Sequence, residues 1–467
     1  MGDKSKRQRV DRLTRTAVTL AAVIVLTGGA GCKTFSDYTR ATRTALSAND
    51  HEAALSASNR ALGVKRAEQL PERLEDDEAL LLLDRAMVLQ VLHEYELSSR
   101  DFRVADKALE ILDFSRSSAN EIVRYMFSDS AGPYKARPYE KLMLNTINMI
   151  NYLANQNLEG AKVEARRFAI IREYLLSDAK KDGAELGPAG VPGSYLAGFA
   201  FEKAGNPGEA LRYYDEALQA AGIPSLSEPI RRLTRISGYR TPRLEQAASS
   251  SPSTPTPEDE SGEILIVINY GRVPALVAKR VPIGLALTVA AAFLPRDAWQ
   301  QANRLAAQGL VTWINYPELA PTRADYPAPL VTIDGVARAP EEIANVDAIV
   351  HHAWDDSKGR VMAAAVTRML TRAAVGAGVG VAAGKGSGHS EVGVLASMIA
   401  QASMAAADKP DTRSWATLPA RIAVARMRLP AGKHAIQVDL LGHRHVLEAT
   451  IEPKQWLVLD ITDLSTL

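Results

Sequence analysis

Cysteine is almost absent from this chain, because Cys32 is the only one in 467 residues. A single thiol excludes an intramolecular disulfide, so we expect the fold to be held by packing and hydrogen bonds alone, even in an oxidising compartment. The position of this one cysteine is therefore the first feature to explain.

The chain also lacks an excess of charge of either sign. Lysine and arginine number 55 and aspartate and glutamate 54, for a formal net charge of +1 at pH 7. A protein that binds nucleic acid through a broad basic surface would carry a clear positive excess, so no nucleic-acid partner is expected. The length suffices for two or three hydrophobic cores, at about 150 residues per domain.

The first 31 residues have the composition of a leader. Residues 4–15 carry six basic side chains, Thr16–Thr27 is apolar, and four small residues lead to Cys32. The apolar run is too short for a membrane-spanning helix. The segment resembles the signal peptide of a bacterial lipoprotein, with Gly29 standing where such leaders usually have leucine. An ordinary secretory leader with a chance cysteine is the alternative.

This resemblance implies cleavage before Cys32 and attachment of lipid, including palmitate, to the protein. Two or three acyl chains would hold the mature chain stably on a bilayer without any spanning helix. In such lipoproteins an aspartate after the cysteine favours the inner membrane, and this chain has Lys33 there. The resemblance therefore implies an outer-membrane anchor facing the periplasm.

Residues 32–245 read as a domain of paired helices. In Tyr195–Gly222 the small residues Gly198 and Ala210 and the aromatics Phe201 and Tyr214 are spaced as in the tetratricopeptide repeat. Small residues let two helices cross closely, and aromatic side chains fill the seam between them. The same spacing recurs less faithfully around Ala54, Ala86 and Ala161, so we expect about four helical hairpins.

A linker and a second domain should follow. Residues 246–261 are rich in serine, proline and acidic side chains, which predicts a solvated segment that lets the two halves move independently. Residues 262–467 predict an α+β domain. Its first strands are expected at Glu263–Tyr270, Ala275–Val281, Leu310–Tyr316 and Pro329–Ile333, and its helices at Arg296–Gln308, Ala339–Trp354, Arg360–Val375 and Ser390–Ala407. Its final strands are expected at Arg421–Leu429, Lys433–Leu441, His445–Ile451 and Gln455–Ile461. We expect these last strands to form a small antiparallel sandwich or meander.

Several short segments extend the resemblance across most of the chain. These segments are Pro138–Lys141, Asn151–Ala154, Val163–Arg167, Asp411–Trp415 and Leu418–Arg421. They resemble a poorly characterised family of tetratricopeptide lipoproteins from double-membraned bacteria. No established activity comes with that family. The resemblance thus implies a fold and a cellular location but no particular activity.

Three further motifs have simpler interpretations than the chemistry they suggest. Gly376–Gly388 lacks the residues of a phosphate-binding loop, and its composition predicts a flexible loop. For the pair His443 and His445 we expect a solvated turn, with a metal site as the alternative. For the apolar run Pro282–Leu294 we expect an element of the core, with contact to a bilayer as the alternative.

The segment Asp411–Trp415 is the candidate ligand-binding feature. Arg413 could pair with Asp411 or with a ligand carboxylate while Trp415 packs beneath it, or the segment could form an ordered turn that locks the helices to the final sheet. No catalytic constellation, cofactor motif or metal site is recognised, so we expect no enzyme.

Helical repeats bind peptides or proteins through many small contacts. We therefore expect a scaffold for envelope proteins or peptides, in envelope assembly or its regulation. The alternative is a C-terminal module that binds glycan or a small ligand, with the repeats as a positioning arm.

Overall fold

The computed structural model describes residues 34–74, 76–109, 134, 136–182, 187–249, 260–307, 313–322, 325–387 and 409–466. The leader with Cys32 and the predicted helix Ser390–Ala407 lie outside these residues, as does most of the predicted linker. The fold is α+β, with helices in the first half and all of the described strands from Ser261 onward.

Helices of the first half come in pairs joined by short turns. They are α1 (Phe35–Tyr38), α2 (Arg40–Ser47), α3 (His51–Ala61), α4 (Asp76–Val91), α5 (Tyr95–Ala108), α6 (Pro138–Ala154), α7 (Leu158–Asp182), α8 (Val191–Lys203), α9 (Pro207–Ala217), α10 (Ser227–Ile236) and α11 (Pro242–Ser249). The predicted hairpins correspond to α2–α3, α4–α5, α6–α7 and α8–α9, whose members pack on each other. The expectation of helix pairs is therefore confirmed.

Close crossing explains the small residues of the α8–α9 hairpin. A Cβ atom at Gly198 would lie 2.4 Å from ring atoms of Tyr214, so only glycine lets the two helices approach this closely. Gly205 adopts a φ of +74° in the turn between them, a conformation that side chains with a Cβ rarely adopt. Tyr214 fills the seam and is fully buried.

The strands form three sheets. They are β1 (Ser261–Tyr270), β2 (Leu276–Pro282), β3 (Trp313–Leu319), β4 (Leu330–Ile333), β5 (Val336–Arg338), β6 (Glu341–Asn345), β7 (Arg421–Pro430), β8 (Gly432–Leu440), β9 (His443–Ile451) and β10 (Trp456–Asp463). The first sheet has the order β10-β1-β7-β6, with β10 parallel to β1 and the other pairs antiparallel. The second has the order β5-β4-β8-β9, and β2 pairs with β3 alone.

The expected C-terminal sandwich or meander is formed only in part. Consecutive strands β8 and β9 pair antiparallel and extend the sheet that contains β4. Strands β7 and β10 instead lie on either side of β1, with β10 parallel to it. The hydrogen-bonding partner of these two strands is thus far away in the sequence, which local alternation alone does not reveal.

The first sheet lies between the helices and the second sheet. Along β1, Leu265 and Val267 belong to the core shared with the helices, whereas Ile264, Ile266 and Ile268 pack toward the second sheet. Alternate residues of a strand point to opposite faces, so the whole of β1 is buried. Because helices and strands share one core, the expected independent movement of the two halves is contradicted.

A long helix replaces two predicted elements. Residues 341–345 form β6 instead of helix, because they pair with β7 and bury Ile343, and α14 (Val346–Ser387) begins after them. The Asn345 side chain accepts a hydrogen bond from the Ala348 amide at 2.8 Å, which caps the helix start. The helix continues through most of the expected glycine-rich loop, since glycine in a helix interior costs only about 1 kcal/mol each.

The segment between β2 and β3 forms a lobe with its own core. It comprises β2, α12 (Ile283–Ala290), α13 (Arg296–Ala307) and β3, packed against the first part of α14. Ala286, Leu287 and Ala290 are buried there, so the expectation that the apolar run serves the core holds for one face of α12. Within the described ranges, none of the helices combines the length and the apolar character needed to cross a bilayer.

Arg426 on β7 connects the first sheet to the helices. Its guanidinium donates to both carboxylate oxygens of Glu202 at 2.8 Å and to Glu263 of β1 at 2.5 Å. It also donates to the Tyr214 hydroxyl at 2.8 Å and lies 5.0 Å from the centre of the Phe199 ring. The Arg426 and Glu202 side chains are each only 2% exposed.

Two further cations complete this buried network. Lys203 contacts both Glu202 and Glu263, and Arg232 contacts Glu202. Burial alone would raise the pKa of Glu202, but Arg426, Lys203 and Arg232 together hold it well below its ordinary value. Both carboxylates are therefore ionised at neutral pH, and each has at least two cations beside it.

Replacing Arg426 with methionine should strongly destabilise the protein, because two buried carboxylates would lose their main counter-charge. We expect the free energy of unfolding to fall by about 3–5 kcal/mol in urea titrations. The matched control is Arg444→Met, which breaks the surface pair with Asp439 and should cost less than about 1 kcal/mol. Equal losses in the two variants would contradict the central role of Arg426.

Candidate functional site

An open groove of about 470 Å³ lies between α7 and the α8–α9 hairpin. Its lining combines two arginines, two glutamates, an exposed isoleucine and two aromatic rings: Arg166, Ile170 and Glu173 from α7, and Phe201, Glu209, Arg212 and Tyr213 from the hairpin. It is a surface feature of the helical half, the part in which sequence analysis expects partner binding.

Aromatic rings between two guanidinium groups form one side of the groove. Phe201 and Tyr213 stack with their centroids 5.4 Å apart and their planes 14° from parallel. The guanidinium carbon of Arg166 lies 5.6 Å from the Phe201 centroid, and that of Arg212 lies 5.2 Å from the Tyr213 centroid. Because both rings are almost fully buried, packing fixes the wall on which the two guanidinium groups lie.

The two arginines differ in their partners. Arg212 forms an ion pair with Glu209 at 3.3 Å. Arg166 is exposed and has no carboxylate within ion-pair distance among the residues that the structure describes. Its guanidinium is thus available to an incoming carboxylate, and the fork of donors in arginine suits bidentate binding of that group.

The exposed face of α7 adds apolar surface beside Arg166. Val163 and Ile170 are 50% and 51% exposed. They are seven residues apart, which places them two turns apart on the same side of the helix. A segment that binds here can therefore bury apolar side chains against α7 and place a carboxylate at Arg166.

Trp415 lies in the interior and not at this groove. It is 1% exposed, and its ring meets Phe102 edge-on at 5.8 Å. The indole donates to Thr417 Oγ1 at 3.1 Å, and the backbone amide of Trp415 donates to Glu140 Oε1 at 3.1 Å. These contacts connect the loop before β7 to α5 and α6.

Arg413 is also occupied by internal partners. It is 7% exposed, donates to Asp411 at distances from 2.6 to 3.1 Å, and lies 5.8 Å from the Tyr134 ring centroid. In the same loop, Thr412 accepts a hydrogen bond from the Ser36 amide and Ser414 accepts one from the Leu276 amide. The position of the loop favours the ordered turn that sequence analysis left open for this segment.

The histidine pair lies on β9 and faces a carboxylate. His443 Nδ1 is 2.7 Å from Asp463 Oδ2, and His445 Nε2 is 3.7 Å from the same oxygen. Burial raises the pKa of Asp463, but the nearby His445 and hydrogen bonds from Ser465 and His443 hold it well below its ordinary value. Over the described part of the chain, no group of three or more potential ligands could hold a metal ion.

The pKa of a second carboxylate on β10, that of Asp460, is shifted in the opposite direction. Asp460 is 3% exposed, and only its Oδ1 atom accepts hydrogen bonds, from Asn269 at 3.0 Å and Thr462 at 2.9 Å. Its Oδ2 atom is buried without a hydrogen-bond partner in the described structure. Burial raises the pKa of Asp460 to about 7.

Sequence analysis did not identify the groove. Phe201 was expected only to fill the seam between helices, and Arg166 appeared only within a family-like segment. The available signal was Val163 and Ile170, two apolar residues at helical spacing on a face of α7 that is otherwise polar. No family model matches this chain, and no curated protein matches it.

The raised pKa of Asp460 predicts a pH-dependent stability. The folded chain retains this proton up to about pH 7, whereas the unfolded chain loses it near pH 4. Stability contributed by this group is therefore present below pH 4 and is lost as the pH rises from 4 to 7. The gain in the free energy of unfolding of Asp460→Asn over the original chain should therefore be larger at pH 8.5 than at pH 5, by about 2–3 kcal/mol.

Urea titrations at the two pH values measure this difference. Glu448→Gln on the exposed side of β9 is the control and should show no such pH-dependent gain. A stability difference for Asp460→Asn that is independent of pH would show that Asp460 remains ionised in the folded protein.

Proposed function

We propose that this chain is an outer-membrane-anchored periplasmic lipoprotein that acts as a protein-interaction scaffold in envelope assembly or its regulation. The leader and Cys32 support the lipid anchor, and the paired helices support the tetratricopeptide-like character of the scaffold. In this proposal the lipid holds the protein on the bilayer while the helical half recruits a partner.

The groove beside α7 is the observation that carries this proposal. It combines exposed apolar surface at Ile170 with the guanidinium of Arg166, which has no ion-pair partner among the described residues, on a wall supported by a buried aromatic pair. Glu173 lines the groove on the other side of Ile170. These groups are suited to a peptide that has an apolar side chain next to a carboxylate that binds Arg166, an arginine being a frequent source of binding energy in such interfaces.

The ligand-binding alternative has less support. Arg413 and Trp415 were its candidate contacts, and both have internal partners in the loop before β7. The Trp415 ring is enclosed and therefore offers no aromatic face to a glycan at this loop. The scaffold therefore remains the preferred function.

Site-specific photocrosslinking in cells tests the scaffold proposal. A photoreactive residue at position 170 should give a discrete adduct with a partner, and Arg166→Glu should weaken that adduct about tenfold or more. The reason is that Arg166 would offer repulsion in place of a salt bridge to the partner carboxylate.

The control position is Val446 on β9, which is 68% exposed and far from α7 in the sequence. A photoreactive residue at 446 should not give the same adduct. Identical adducts at positions 170 and 446, or an adduct at 170 that Arg166→Glu leaves unchanged, would contradict the proposal.

A further inference from the structure

The lobe formed by β2, α12, α13 and β3 exposes four large apolar side chains. Leu285 is 55% exposed, Phe293 48%, Trp299 43% and Trp313 57%. Trp313 is the residue opposite Pro282 in the β2–β3 pair, so it lies beside the start of the helix that carries Leu285. The opposite face of that helix is buried in the core of the lobe.

Tryptophan exposure is concentrated in this lobe. The chain has five tryptophans, and Trp354 and Trp415 are buried at 7% and 1% exposure. Trp456 is half-buried. Tryptophan is enriched where proteins meet the headgroup region of a bilayer, because its ring is apolar and its N–H can still donate a hydrogen bond.

Cations lie on the same elements as these apolar side chains. Lys279 and Arg280 on β2 and Arg296 and Arg304 on α13 are exposed, and none of the four forms an ion pair within the described residues. Among the described residues of β2, α12, α13 and β3, Asp297 is the one exposed carboxylate, and the half-buried Glu318 pairs with Lys358 of α14. These four elements therefore carry net positive charge, which attracts anionic phospholipid headgroups, whereas the adjoining part of α14 adds the exposed Asp355 and Asp356.

The chain segment that follows Cys32 lies against the same lobe. Helix α1 packs on β2, and the loop before β7 connects the two, since Thr412 accepts a hydrogen bond from Ser36 and Ser414 accepts one from Leu276. In the proposed anchor the lipid precedes α1 in the chain, which favours an orientation with this side of the lobe toward the bilayer.

We propose that this lobe is a second membrane contact, which lies on an anionic phospholipid surface with Leu285, Phe293, Trp299 and Trp313 in the headgroup region. The four cations, none of which forms an ion pair within the described residues, complement the lipid charge, and the apolar side chains supply the burial. This proposal rests on the proposed lipid anchor only for the orientation of the lobe. The lobe also orients the helical groove, because two contacts fix the body relative to the bilayer where a single tether leaves it free to rotate.

The test uses the full chain with Cys32→Ala, which cannot be lipidated at that position. Partitioning is measured by sedimentation with vesicles of phosphatidylethanolamine and phosphatidylglycerol. Trp299→Gln combined with Trp313→Gln should weaken partitioning about tenfold, because two buried aromatic rings are lost. Arg296→Glu combined with Arg304→Glu should weaken partitioning to these vesicles but not to vesicles of phosphatidylcholine.

The matched control is Ile236→Gln combined with Val446→Gln, which removes two apolar side chains that are 71% and 68% exposed outside the lobe. It should leave partitioning unchanged. All variants retain the same leader, so differences between them report on the lobe, and urea titrations confirm that each is folded.

Equal partitioning of the double-tryptophan variant and the control would overturn the proposal. The anchor is tested separately by comparing the original chain with Cys32→Ala in membrane fractions from cells. The vesicle assay reports on the lobe alone, and the cell fractionation reports on the lipid anchor. A failure of one proposal can therefore be told apart from a failure of the other.

Discussion

The buried guanidinium of Arg426 is the interaction on which the rest of the structure depends. A sheet and a layer of helices could pack by apolar contacts alone, yet Glu202 and Glu263 place two ionised carboxylates at the centre of their interface. Removing such charges from water is costly, so they are tolerated only where cations and hydrogen bonds compensate them fully. Arg426 provides this compensation from β7 and so specifies how the α8–α9 hairpin sits on the sheet.

This shared core has consequences for the two surfaces with proposed roles. The groove depends on the positions of α7, α8 and α9, and the α8–α9 hairpin is held to β1 and β7 by Arg426. The lobe continues from β1 through β2, and α14 connects it to β6 in the first sheet. Partner binding and membrane contact are therefore built on one framework and not on two bodies joined by a flexible linker.

Local signals in the sequence predicted much of the secondary structure. Small residues such as Gly198 predicted the helix pairs, because a close crossing leaves no space for a side chain. Alternation predicted β1 and β2 within one or two residues at each end. Tertiary pairing decided the rest: residues 341–345 became a strand because β7 offered an edge, and the final strands divided between two sheets because β1 and β4 lay in different layers.

The candidate site was less predictable for the same reason. Arg413 and Trp415 form a conspicuous local motif, but distant partners such as Glu140 and Tyr134 enclose them. Arg166 and Phe201 are unremarkable in the sequence and meet only because α7 packs against α8. A groove that forms between two helices leaves no recognisable motif in the sequence of either helix.

Native-state hydrogen exchange of the full chain tests the shared core most directly. If Arg426 joins helices and sheet into one cooperative unit, protected amides of residues 191–217 and of β1 and β7 should exchange with the same opening free energy, equal to that of global unfolding. Exchange of residues 191–217 through a separate opening of much lower free energy, while β1 and β7 stay protected, would contradict it.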